Sequence, residues 1–141
     1  MARTIRLVAV TLTLATVLAG CGEGKKTETN VRPPHPGIPS TEVDVTGIYR
    51  TRHQGLIQLR ANGGFVMVIS GKGPSAGTWT LRDGVFQVRT GPCGDQPGEY
   101  RAEVTGEALP GKAILHLRSV RDDCVERQRY LTIDPWIYAV S

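Results

Sequence analysis

Beyond residue 46 the chain is a succession of short runs rich in Val, Ile, Thr and aromatics, each cut off by glycine. No helical period of any length interrupts them. Runs of about six residues with a period of two, bounded by turn residues, read as half-buried strands. The expected strands cover 47–51, 56–60, 65–70, 78–81, 85–89, 99–104, 113–119, 129–133 and 136–140. Ala61-Asn62-Gly63-Gly64 and Asp83-Gly84 are tight-turn signals, and glycine and proline break the chain at 71–75 and 91–98. Eight or nine strands with short connections predict an all-β fold, an antiparallel up-and-down barrel of about eight strands. Closure into a barrel removes the unpaired edges that an open meander leaves.

Alternation assigns the faces. Trp79 and Leu81 point inward, Thr78 and Thr80 outward; Leu115 and Leu117 point inward, His116 and Arg118 outward. The same rule puts Ile57, Leu59, Val88, Val104 and Ile133 inside. Tyr49, Met67, Trp79, Phe86, Tyr100, Trp136 and Tyr138 form the candidate ligand pocket. An eight-stranded barrel is wide enough to be filled by side chains or to hold one small ligand, and this list suits either. The run 65–69 is apolar on both faces, so Val66 and Val68 point outward as a candidate contact patch or lie under a loop.

The N-terminus carries a different message. Arg3 and Arg6 precede an uncharged stretch from Leu7 to Leu18. At about a dozen residues it falls short of the roughly 20 needed to span a bilayer and reads as a signal peptide. Leu18-Ala19-Gly20-Cys21 follows and resembles the lipobox of bacterial lipoproteins. The resemblance implies cleavage after residue 20 and a diacylglyceryl group on Cys21, which would anchor the protein to a membrane outside the cytoplasm. Residues 21–43, with four prolines and few apolar side chains, are expected to be a flexible tether, and 44–141 the barrel domain. The net charge of +4 drops to about +2 once Arg3 and Arg6 are removed, so the basic character argues little for nucleic acid as a partner.

Cys21 aside, two cysteines remain. Cys93 and Cys124 are an even pair in an oxidising compartment, which predicts a disulfide worth about 3 kcal/mol. Free thiols or a redox pair are the alternative, although there is no Cys-x-x-Cys.

The strand pattern together with Gly47-Ile48-Tyr49, Gly77-Thr78-Trp79, Pro97-Gly98-Glu99-Tyr100 and Cys124-Val125-Glu126-Arg127 is similar to lipocalin-like domains of exported bacterial proteins. The resemblance implies a barrel-sealing pair, Tyr49 with Arg127, and Arg129 as the substitute. Tyr49 stands where that family has tryptophan, and no helix is expected before the last strand.

Little here assembles into chemistry. His35, His53 and His116 lack metal-ligand spacing. Asp95, Asp122 and Asp123 read as a solvated loop rather than a cation site, and the many arginines as a solvated mixed face rather than a headgroup or polymer site. No enzyme activity, catalytic residue, metal or cofactor is expected. The expected function is that of a monomeric, membrane-anchored lipoprotein whose barrel binds a small apolar or amphipathic ligand. The alternative is a solid barrel acting as an envelope interaction or structural module.

Overall fold

A computed structural model describes residues 32–53, 55–90 and 93–139. Eight strands follow in order: β1 Gly47–Thr51, β2 Gly55–Leu59, β3 Gly64–Val68, β4 Pro74–Arg82, β5 Val85–Thr90, β6 Gly98–Thr105, β7 Ile114–Arg121 and β8 Trp136–Ala139. Each pairs antiparallel with the next, and β8 returns to β1 through Ile48↔Ala139, Tyr49↔Tyr138 and Arg50↔Ile137. The expected closed barrel is therefore the fold. Its inner face follows the period of two: β5 buries Phe86, Val88 and Thr90, and β6 buries Tyr100, Ala102 and Val104. At Gly77 the absence of a side chain lets β4 press against β5, since a Cβ there would collide with the Arg89 carbonyl.

One strand was misassigned by the periodicity. Residues 129–133 are not a strand, because α1, Val125–Thr132, occupies that stretch before β8. The helix buries only Arg127 and Leu131, four residues apart and so on one face. An arginine at one of the two buried positions disguised the helical period, while Tyr130-Leu131-Thr132-Ile133 mimicked a strand. Ile133, expected inside, is 52 % exposed. Strand β3 ends at Val68, and β4 starts as early as Pro74. Val68 is exposed and Val66 half-buried, so both do point outward.

The N-terminal segment also departs from expectation. From residue 32 onward, the stretch read as open tether lies on the barrel. Strand β5 begins only at Val85 and leaves one edge of β6 unpaired near Val104. Gly37 covers it, exchanging both backbone hydrogen bonds with Val104 at 2.8 Å. Beyond it, the amides of Asp83 and Gly84 donate to the carbonyls of Ser40 and Pro39. A 3-10 turn at Glu42–Asp44 then leads into β1, held by the Asp44 carboxylate, which accepts from the amides of Ser40 and Thr41 at 2.8 Å. Pro34 and Pro39 are buried. The composition of this segment cannot build a core, but its backbone completes a sheet edge. The expected signal peptide, Cys21 and the rest of the expected tether lie outside the described residues.

Candidate functional site

The up-and-down order puts the β1–β2, β3–β4, β5–β6 and β7–β8 connections at one end of the barrel, here the helix end. Two regions there and inside the barrel bear on function.

The first is the interior. All seven candidate pocket residues project into it, and none is more than 3 % exposed. They occupy the space rather than line it. Trp79 stacks on Phe86 with centroids 5.6 Å apart, and Phe86 meets Trp136 edge-on at 6.0 Å. Trp136 touches Tyr49 at 6.0 Å and Tyr49 touches Tyr138 at 5.5 Å. Five rings thus form one continuous chain in the edge and offset geometries that aromatic quadrupoles favour. Two of their polar atoms are paired: Tyr49 Oη donates to the Val45 carbonyl at 2.6 Å and Trp79 Nε1 to the Arg60 carbonyl at 3.2 Å. Trp136 Nε1 is the one buried side-chain polar atom without a partner among the described residues. Burial, then the nearby Tyr138, push the Tyr49 hydroxyl far above its ordinary pKa, so it stays a neutral donor.

The second is the helix end, organised by a buried ion pair. Arg127 and Asp122 side chains are 1 % and 0 % exposed. Arg127 Nε donates to Asp122 Oδ2 at 2.8 Å and Nη2 to Oδ1 at 2.6 Å, a bidentate fork. Nη1 donates to the Gln96 carbonyl at 2.7 Å and reaches the Thr90 carbonyl at 3.4 Å. Asp122 also accepts from Tyr100 Oη and, at 2.8 Å, from the Cys124 amide. Five elements therefore converge on one pair: β5, the β5–β6 loop, β6, the end of β7 and α1. Gly98 makes room, because a Cβ there would run into the Asp122 carboxylate. Cys93 and Cys124 stand at disulfide distance, their Cα atoms 5.9 Å apart, and tie the β5–β6 loop to the start of α1.

Asp122, read in the sequence as part of a solvated loop, is instead the buried counter-ion of Arg127. Nothing in its spacing marks it, because Asp122 and Asp123 look alike until the fold buries one of them. Tyr49 and Arg127, expected to work together, do different jobs. Arg127 closes the helix end through Asp122, whereas the Tyr49 hydroxyl bonds to Val45 ahead of β1. Sequence reasoning also missed two clamps at the helix end. Lys72 of the β3–β4 turn lies 3.0 Å from Glu126 of α1 and also bonds the Tyr130 hydroxyl. His53 of the β1–β2 turn meets Asp134 at 3.0 Å.

A small cleft of about 110 Å³ opens at this end, lined by Met67, Ile69, Ser75, Thr90, Arg127 and Tyr130 among others. A ligand pocket for a drug-sized molecule is several times larger, roughly 300 Å³ and upward. No family model, curated protein or solved structure matches the chain. What the site can do is therefore read from its own geometry.

Electrostatically the ion pair is a pH-dependent staple. Burial works to raise the Asp122 pKa, but hydrogen bonds from Arg127, Tyr100 and the Cys124 amide outweigh it and hold the carboxyl below its ordinary value of 3.8. A carboxylate with a depressed folded pKa stabilises the fold fully above its unfolded pKa, and that contribution disappears as pH falls through the folded value. The expected result is a loss of stability that sets in below about pH 4 and is diminished in Asp122→Asn. Urea unfolding midpoints between pH 3 and 7 check it; equal pH dependence in the two proteins would contradict it.

Proposed function

We propose that the protein is an exported lipoprotein, anchored to a membrane through lipid on Cys21, whose solid barrel serves as an envelope interaction or structural module without catalysis. The filled interior carries this reading. Twelve large side chains, among them Trp79, Trp136, Tyr49, Tyr100 and Phe86, are less than 2 % exposed, so binding chemistry belongs to the exterior. The rigid closure of the helix end by Arg127 and Asp122 supports it as well. The lipobox resemblance supports the anchor, since two acyl chains suffice for stable attachment where one is marginal.

Two experiments test it. Protein purified in its natural membrane context should carry no small-molecule adduct in native mass spectrometry and should not enhance the fluorescence of an apolar dye. Retention of a stoichiometric ligand would overturn the solid-barrel reading. An alkynyl fatty acid fed to cells should label the wild type and not Cys21→Ser; equal labelling would overturn the anchor.

A second reading has one observation in its favour. The unpartnered Trp136 N–H inside the barrel suits a small ligand carrying one hydrogen-bond acceptor.

A further inference from the structure

The outside of the barrel has two unlike halves. Between residues 45 and 82 the chain contains no aspartate or glutamate, yet it contains Arg50, Arg52, Arg60, Lys72 and Arg82. That stretch is β1 to β4. The register extends the same character onto β8, which holds no charged residue. One outward row runs Ile137–Arg50–Leu56–Val68 across four adjacent strands, and the next holds Ile48 and Val66 either side of Gln58. Ile137, Leu56 and Val68 are 38 %, 44 % and 43 % exposed. Neither Arg50 nor Arg60 takes part in a salt bridge among the described residues. The opposite half, β5 to β7, mixes signs on its outward positions, with Arg101, Glu103 and Arg118 side by side.

We infer that the β8–β1–β2–β3 face docks on the anionic surface of the membrane that holds the lipid anchor. The inference rests on the anchor proposed above. Exposed aliphatic side chains interleaved with arginines that no carboxylate neutralises match a bilayer interface, where apolar groups enter the acyl boundary and cations meet anionic headgroups. The absence of any acid on β1 to β4 matters as much as the arginines, because it removes the repulsion that such a surface would impose. Lipid on Cys21 brings the bilayer within reach. Eleven residues lead from Cys21 to Arg32 and span at most roughly 36–40 Å, longer than β4, whose nine residues extend about 30 Å. The barrel can therefore turn this side to the bilayer. Because the anchor makes the contact intramolecular, a face too weak to bind membranes alone is held there by a high effective concentration.

The test uses the full lipidated protein in vesicles, with an environment-sensitive fluorophore on Ala76→Cys beside the face or on Glu103→Cys in the opposite half. Vesicles are phosphatidylcholine alone or mixed with phosphatidylglycerol, and both contain a doxyl-labelled quencher lipid. Quenching at position 76 should exceed that at position 103 severalfold in anionic vesicles. It should fall to the neutral-vesicle level at high salt, where the screening length shrinks to about 3 Å, and in the Arg50→Glu/Arg60→Glu variant. Equal quenching at the two positions, in protein that floats with the vesicles, would overturn the docking face while leaving the anchor intact. Protein that does not float at all would overturn the anchor and, with it, this inference. Floating protein whose position 76 is shielded only when a second envelope protein is added would assign the face to a protein partner and refute the membrane.

Discussion

Arg127→Ala is expected to cost about 3–5 kcal/mol of folding stability, the range for removing one partner of a buried ion pair. Most of the loss comes from what stays behind. Asp122 would remain in a site with no exposed side-chain surface, supported only by Tyr100 and the Cys124 amide, and the Gln96 carbonyl would lose its donor. Arg101 provides the control: it lies outward on β6 and is exposed, so Arg101→Ala should change stability by no more than about 0.5 kcal/mol. Arg127→Lys should fall between the two, because an ammonium keeps the charge but cannot reproduce the fork to both carboxylate oxygens. Chemical denaturation of the three variants checks the order, and equal losses for Arg127→Ala and Arg101→Ala would remove Arg127 from its place at the helix end.

Breaking the link between Cys93 and Cys124 should be the second large effect. The two are 31 residues apart, and closing a loop of that length in the unfolded chain is worth between about 3 and 4 kcal/mol by chain entropy. The double serine variant is therefore expected to unfold at a markedly lower denaturant concentration. A further consequence separates this bond from a simple crosslink. The loop it secures supplies the Gln96 carbonyl to Arg127, so the crosslink and the ion pair share one piece of structure. Combining the serine variant with Arg127→Ala should cost less than the two separate losses together, as neighbouring sites do when they depend on each other. Strict additivity would mean that the loop holds its place without the crosslink.

The sequence was most informative where the period of two could be read without interruption. Trp79, Leu81, Tyr100 and Ala102 each sit at an inward step of a run whose alternate positions are polar, and all four are in the core. The helix escaped because its buried face is two residues, one of them an arginine, and hydrophobic periodicity does not register a buried charge. Asp122 escaped for the same reason, since burial of an ionised side chain is decided by a partner and not by neighbours along the chain. The N-terminal segment escaped because its role is carried by backbone hydrogen bonds of Gly37, Pro39 and Ser40, to which composition is blind. Conversely, the absence of acids between residues 45 and 82 is plain in the sequence. It acquires meaning only when the barrel folds that stretch into one contiguous surface.

The way the barrel closes also bears on how it is made. Seven of its eight pairings join strands consecutive in the chain, so successive hairpins can form as soon as their residues are free. The remaining one, β1 with β8, brings Tyr49 beside Tyr138 across nearly the whole domain. The entropy of so long a loop must be spent before any contact rewards it, and such non-local contacts slow folding. In a chain synthesised N-terminus first, β8 is the last strand to arrive, and until it does β1 and part of β7 offer open edges to other chains. Loss of the final residues would therefore do more than shorten the protein: it would leave a sheet with two exposed margins, prone to self-association.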